Sequence, residues 1–557
     1  MMQKKIEELS RRFALQNAAQ HGGKSSSSAV LGSVLGSLPE AKKDVPATMK
    51  IIEEIISEIN SMTLVEQQKE IHALKIDTAP QKKEKELLKD LPDVGKTVVM
   101  RFAPNPNGPL SLGHSRQALL NWFYVKRYKG KYILRLDDTD PKIKIPIKEA
   151  YDWIVEDLAW LGIKPDLIVR ASSRFDIYYD YAEKLIGLGG AYVCTCPQET
   201  FRDLKKKAIC CPCRDLGQKE QLARWKNMFS GYKEGEAVLR IKTDILHKNP
   251  AIRDWPAFRI VEKPQHPLVN YRVWPLYDYA SALDDHLLGV THLIRGIDFL
   301  ATKEKQGYLY KYFNWKYPKD LVTGKLLVVG IKSTSESRKL ITEGKLSGWD
   351  DPRLGTLRAL KRRGFSPQAI INFISDIGVK KSDIKVSEKN LYSYNRKIID
   401  SISPRYFFTE DPVGIDISKA PRANTALTIK GAIPAQEDRI IKVRDSVYIA
   451  KKDFDRYKGK KVRLKEFAYG ILDKTFTPEN DSEFDKDRSN VQVIQWVEKD
   501  DCIDLNIVMP DSTIIKGKAE QGIQGLNNQV VQFERVGFVN LVKEKGSKKI
   551  TGFFAHP

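Results

Sequence analysis

The sequence predicts a doubly wound parallel α/β sheet, preceded by a helical region and followed by an all-β one. Three observations carry this prediction. Strand-like runs alternate with amphipathic helices from about residue 96 to 170, and sheet-like sequence resumes near residue 277. Residues 1–95 show helical spacing. After about residue 400, short β-rich runs punctuated by Gly and Asp dominate.

A chain of 557 residues exceeds what one hydrophobic core can organise, so about three to five domains are expected. In the helical region, Ile51-Ile-Glu-Glu-Ile-Ile-Ser-Glu-Ile59 repeats apolar residues at helical intervals, and Gly22-Gly-Lys-Ser-Ser-Ser-Ser-Ala29 reads as a flexible connector. The core opens with the apolar Val98-Val-Met100, a turn, and the helical Ser115–Lys126. Tyr132-Ile-Leu-Arg-Leu136 is a buried strand, and Tyr151–Leu161 is an amphipathic helix ending at Gly162. A mixed segment follows, over 171–276. Tyr277-Asp-Tyr-Ala-Ser281 and Thr291-His-Leu-Ile-Arg295 read as returning sheet, and 345–399 as helical again. Beyond residue 400, strands are expected at Leu427–Ile429, Arg439–Val443, Ser446–Ile449 and Thr513–Lys516. No internal repeat of 20–50 residues is visible.

Composition narrows the function classes. No apolar run reaches the ~18–20 residues of a membrane helix. The amino terminus is charged and lacks a signal-peptide core, so a cytoplasmic protein is expected. Net charge is +22, from 93 basic and 71 acidic residues, which favours a polyanionic partner.

The densest chemical signal is Arg101-Phe-Ala-Pro-Asn-Pro-Asn-Gly-Pro-Leu-Ser-Leu-Gly-His114. It is a Pro/Gly-rich turn between a strand and a helix, and such turns lie at the ligand-binding end of a parallel sheet. Gly108 and Gly113 would let an anionic ligand approach the backbone, the new helix offers unpaired N–H groups, and His114 can donate to a phosphate oxygen. Five of six cysteines cluster in Cys194-Thr-Cys196 and Cys210-Cys-Pro-Cys213. In a reducing compartment this spacing favours a structural Zn²⁺ held by Cys194, Cys196, Cys211 and Cys213, with Cys210 as the alternative ligand.

The first stretch resembles the first signature of class I aminoacyl-tRNA synthetases. Together with Arg135-Leu-Asp-Asp-Thr-Asp-Pro141, it is similar to the glutamyl/glutaminyl branch in its archaeal and eukaryotic form. The resemblance implies a Rossmann-type catalytic core in two halves, 96–170 and 277–344. Around it come a helical appendage over 1–95, an inserted acceptor-stem-binding domain over 171–276, a helical connector over 345–399, and β-barrels over 400–557 that read the anticodon. It implies an ATP-dependent glutamate–tRNA ligase, with Mg²⁺ accompanying the ATP and with L-glutamate and tRNA(Glu) as partners. tRNA(Gln) is an open second substrate. A glutamine-specific enzyme of the same branch and a non-catalytic tRNA-binding paralogue are the rivals.

For the substrate, the resemblance assigns Asp137 to the ammonium and Arg101 and Arg295 to carboxylates, with Asn105 and Tyr277 in the pocket. A salt bridge from Arg295 to Asp298 is the alternative for that arginine. ATP contacts fall to Ala103, Asn107, Gly108, Gly113, His114, Ser333 and Ser335. Two departures stand out. Ser111 replaces the usual leading histidine, and the second signature reads Ser333-Thr-Ser-Glu336, where the family carries a lysine. Lys332, Arg338 and Lys339 are then the cations available near His114 and Ser111 to meet the phosphate charge.

Overall fold

A computed structural model describes residues 2–20, 23–74, 76, 88–328, 334–418, 426–429, 433, 437–479, 491–543, 546 and 549–557. The chain divides into two compact units, Met1–Glu86 and Leu87–Pro557.

The first unit is helical. Its helix Val45–Ser61 starts where Asp44 accepts from the Ala47 N–H at 3.0 Å and Pro46 presets the first turn. Ile52, Ile56 and Ile59 recur on one face and are buried against Leu15, Ala18, Val30 and Val34. The Gly/Ser stretch is shorter as a connector than expected, because helix Ser27–Ser37 begins inside it. Val30 and Val34 have a core to face, and that burial overrides the weak helix preference of the serines.

In the second unit, five parallel strands stand in the order Leu167–Arg170, Lys131–Leu136, Val99–Phe102, His292–Gly296, Lys319–Thr323. Val99–Phe102 pairs with a neighbour on each side, so the order reverses there and opens the crevice where ligands bind in such sheets. The central strands are buried on both faces, as near-continuous apolar runs require. Tyr277–Leu287 is a helix, not the strand expected from Tyr277–Ser281. Tyr-Asp-Tyr mimics a two-residue alternation, but Tyr279, Ala280, Ala282 and Leu283 bury together along a helical face.

Along the chain, between Leu167–Arg170 and His292–Gly296, lies an antiparallel sheet of Ala191–Cys194, Val238–Ile241, Pro256–Ile260 and Val273–Pro275. It packs Trp225, Trp255, Phe258 and Trp274 into its own core. Helices Leu357–Arg363, Pro367–Ile377 and Glu388–Ile399 follow, with the short strand Ile384–Val386 between the last two.

Among the described residues, the C-terminal region forms two seven-stranded sheets, and the α-helix Lys451–Tyr457 lies among their strands. They are nested: strands from Pro412–Ile417 to Trp496–Glu498 build one, apart from the separate pair Ala426–Ile429 and Arg439–Lys442, while Arg405–Tyr406, Phe408–Glu410 and the strands from Cys502 onward build the other. Arg363 ties the helical connector to the last strand. It donates to the Phe554 and Ala555 carbonyls at 3.1 and 2.8 Å and pairs with Glu388 at 2.8 Å. Among the described residues no helix is long and apolar enough to cross a membrane.

Candidate active site

The glycine-rich turn closes onto a helix, Leu112–Arg127, whose first turn is capped from within the motif. The Ser111 hydroxyl accepts from the His114 N–H at 3.4 Å, and the Ser111 N–H donates to His114 Nδ1 at 3.2 Å. Ser111 is therefore turned inward as a cap instead of outward to a ligand. Because Nδ1 accepts, the ring proton sits on Nε2. Burial holds the His114 pKa below its ordinary value, with the Lys144 charge acting in the same direction. A neutral imidazole with a donor at Nε2 results, suited to a phosphate oxygen.

The turn is braced from three sides. Asp157 accepts from the Leu110 N–H at 2.8 Å, the Leu112 N–H donates to the Gly355 carbonyl, and the Leu357 N–H donates to the Leu110 carbonyl. A Cβ on Gly108 would lie 2.9 Å from both Thr334 and Trp349. That glycine permits close approach of the second-signature helix and of Trp349. Gly113 differs, since a Cβ there would meet only Ser111 Oγ, at 3.6 Å. Ala103 and Asn107 are half-buried on the same turn.

At the carboxyl ends of the central strands lies a buried ion cluster. Arg101 pairs with Asp285 through two bonds of 2.8 and 3.1 Å. Arg135 pairs with Asp137 at 2.7 Å and with Asp285 at 3.2 Å. Arg295 pairs with Asp320 at 3.0 Å and donates to the Tyr317 hydroxyl at 2.8 Å. Lys303 reaches Asp320 from the other side at 3.0 Å. Burial opposes the charge on Arg101, and Asp285 more than offsets it, so the guanidinium is held more firmly protonated than usual. Burial also acts against the Asp285 carboxylate, which Arg101 and Arg135 hold below its ordinary range. Asp137 goes the other way: burial pushes its carboxyl up despite Arg135. Burial likewise raises the Tyr277 phenol, which faces Arg101 and Asp137. Asn105 donates to the Asp137 carbonyl at 2.9 Å, while its own Oδ1 is buried without a partner among the described residues.

The structure thus gathers Arg101, Asn105, Asp137 and Tyr277 around one set of charges, with Arg295 acting on Asp285 from its edge. Arg295 is buried as expected, but its anion is Asp320. Asp298 pairs instead with Lys325 at 3.0 Å. Sequence reasoning did not find Arg135, Asp285, Lys303, Tyr317 or Asp320. Arg135 lay inside a motif already singled out, but the others lie on separate elements and carry no local pattern.

The second signature divides. Lys332 and Ser333 lie outside the described residues. Ser335 is exposed in the first turn of helix Thr334–Thr342. Arg338 donates to the Ile145 carbonyl at 2.7 Å, and Lys339 is exposed, 3.9 Å from Glu343. Of the three cations expected at the phosphates, Arg338 is therefore engaged with a protein carbonyl, while Lys339 remains in solvent.

The thiol cluster is compact. Cys194–Cys211 and Cys196–Cys213 sulfurs are each 3.8 Å apart, and all four sulfurs lie within 4.8 Å of one another. Four ligands at about 2.3 Å from a tetrahedral Zn²⁺ stand about 3.8 Å apart, so the set fits that ion. Hydrogen bonding from Cys194 pushes the Cys211 thiol down to about 5. Burial acts against ionisation of Cys213, and the Thr195 N–H and hydroxyl more than offset it. Cys210 is outside this group.

Comparison with known proteins agrees with this geometry. Residues 97–401 match the family model "tRNA synthetases class I (E and Q), catalytic domain". Residues 403–486 and 493–542 match the two models "tRNA synthetases class I (E and Q), anti-codon binding domain". A glutamate–tRNA ligase of Pyrococcus furiosus is 46% identical, with 99% of this chain and 100% of that protein aligned. Those of Thermococcus kodakarensis and Archaeoglobus fulgidus are 44% and 42% identical over 99% of this chain, covering 99% and 100% of those proteins. With the signature loop, the parallel sheet and the C-terminal sheets all matched, the chain belongs to the class I tRNA synthetases of the glutamate and glutamine branch.

Proposed function

We propose that the chain is a glutamate–tRNA ligase, which activates L-glutamate with ATP and transfers it to the 3′ end of tRNA(Glu). The carrying observation is the charge of the buried cluster. Arg101, Arg135 and Arg295 are buried against Asp137, Asp285 and Asp320, and the exposed Lys303 reaches Asp320 from the rim, four cations to three carboxylates. Arg174 and Asp284 neutralise each other beside them. Glutamate, with one ammonium and two carboxylates, brings the balancing single negative charge. Glutamine is neutral overall and brings no second carboxylate for a guanidinium to bond.

Asp137 and the orphaned Asn105 Oδ1 are the acceptors for the ammonium, while Arg101 and Arg295 exchange part of their carboxylate bonding for that of the substrate. The substrate carboxylate then attacks the α-phosphorus of ATP. No covalent step falls to the protein, which positions reactants and meets developing charge. His114 donates from Nε2 to a phosphate oxygen, and the first turn of its helix adds backbone N–H groups. Mg²⁺ accompanies the ATP. The basic excess of the chain suits tRNA, with the nested C-terminal sheets on the anticodon side. A non-catalytic paralogue would not be expected to retain so complete a pocket.

The test is ATP–pyrophosphate exchange with tRNA present, comparing glutamate with glutamine, followed by charging of tRNA(Glu) and tRNA(Gln) transcripts. Glutamate-dependent exchange is expected, and exchange with glutamine alone would transfer the chain to the rival specificity. Charging of the second transcript decides whether tRNA(Gln) is also a substrate. At the thiol cluster we propose one structural Zn²⁺ per chain. Metal analysis should show about one zinc, lost from Cys211→Ser and kept by Cys210→Ser.

A further inference from the structure

Among the described residues, which exclude Lys332, the triphosphate end of the site lacks a committed cation. The second signature carries Glu336 where the family resemblance implies a lysine, Arg338 is bonded to a backbone carbonyl, and Lys339 lies 3.9 Å from Glu343. The structure supplies another candidate on a segment that sequence reasoning passed over.

The loop after Asp140 is tightly built. The Asp140 carboxylate accepts from the N–H groups of Lys142, Ile143 and Lys144 at 3.1, 3.1 and 3.2 Å, and Arg259 pairs with it at 3.1 Å. The Ile147 N–H donates to the Pro106 carbonyl at 2.8 Å, which fastens the loop to the first signature. Arg338 fastens it to the second through the Ile145 carbonyl. The loop therefore bridges the two ATP signatures. Of its lysines, Lys142 pairs with Glu234. Lys144 is exposed, and among the described residues no acid pairs with it. Its charge bears on the His114 ring.

We infer that Lys144 is the cation that meets the β- and γ-phosphates of ATP, in place of the lysine missing from Ser333-Thr-Ser-Glu336. The inference rests on the ligase reading above. In the step it assists, a substrate carboxylate oxygen forms a bond to the α-phosphorus. The bond from that phosphorus to the bridging oxygen breaks, and the electron pair leaves with pyrophosphate. Lys144 keeps its proton and neutralises charge that grows on the leaving group, so its effect falls on the rate more than on ATP binding. The Asp140 cap and the Arg338 strut hold its backbone in place before ATP arrives.

The experiment measures tRNA-dependent exchange in the full-length protein as kcat and KM for ATP. Lys144→Ala should lower kcat about 10²-fold, with KM for ATP moving less than about tenfold and with glutamate KM and tRNA affinity unchanged. Lys144→Arg should retain most of the activity. Adding Glu336→Lys to Lys144→Ala should recover at least about tenfold, because it restores a cation at the family's usual place. Near-normal kcat in Lys144→Ala overturns the assignment, as does a loss that appears in tRNA affinity or that Glu336→Lys leaves unrepaired. Failure of the wild-type protein to exchange at all would instead overturn the ligase reading.

Discussion

The two ends of the proposed active site are built by opposite strategies. At the amino-acid end, Arg101, Arg135 and Arg295 are buried and already bonded to carboxylates from three separate elements. At the phosphate end, the groups on offer are a capped helix start, a neutral histidine and exposed lysines on loops and a helix surface. The difference follows from the ligands. A small zwitterion can be enclosed, so its partners must be neutralised while the pocket is empty, or their desolvation would unfold the sheet. A triphosphate stays partly solvated, and flexible cations can wait in water at little cost.

The sharpest way to break this contrast is Asp285→Ala, which strips the shared carboxylate from Arg101 and Arg135. Removing one partner of a buried ion pair costs about 3–5 kcal/mol. The variant should therefore show a much lower unfolding midpoint and no glutamate-dependent exchange. A loss under about 1 kcal/mol would mean that the cluster is wetter than its burial implies.

Arg295→Ala tests the same end from the substrate side. Losing one charge-assisted pair should lower kcat/KM for glutamate about 30-fold, equivalent to about 2 kcal/mol. Near-normal glutamate kinetics would confine Arg295 to its bond with Asp320.

Asp157 probes the bracing of the phosphate end. Burial pushes its carboxyl up to about 7, although it accepts from the Leu110 N–H. Below about pH 4 it is protonated whether the chain is folded or not. Between about 4 and 7 the unfolded chain releases the proton while the folded one keeps it, so stability falls as pH rises. Asp157→Asn should remove this slope and stabilise the protein at pH 8 by up to about 4 kcal/mol relative to pH 4. Parallel stability–pH curves for variant and wild type would refute the shift.

The smallest effect belongs to Ser111→Ala. Losing a helix cap costs about 1 kcal/mol. The Ser111 N–H still fixes the His114 tautomer, so kcat should fall less than about tenfold. A larger fall would return Ser111 to direct contact with ATP.

What was legible in the sequence depended on how local its cause was. The strand, turn and helix of the first signature are encoded within thirty residues, and the thiol set follows from Cys-x-Cys spacing, so both could be read directly. The partners of Arg101 and Arg295 could not, because Asp285 lies 184 residues from the first and Asp320 sits on a neighbouring strand. Burial of an arginine predicts an anion but not whether protein or substrate provides it. Tyr277–Ser281 failed for a related reason. Five residues fit either periodicity, and the choice was made by burial of Ala282 and Leu283 beyond that window.

Asp137, Asp138 and Asp140 stand in one turn but face different parts of the molecule. Asp137 belongs to the buried ion cluster. Asp138, against its burial, is held ionised by hydrogen bonds from His266, Ser172 and Tyr151, and Asp140 holds Arg259. His266 and Arg259 both come from the segment inserted between the parallel strands. Modular exchange is constrained accordingly. A foreign segment spliced in at the same two points would strand a buried carboxylate one peptide bond from the substrate pocket unless it brought its own counterparts of these two side chains. The graft boundary for this enzyme is thus drawn by the partners of Asp138 and Asp140, not by the ends of the antiparallel sheet.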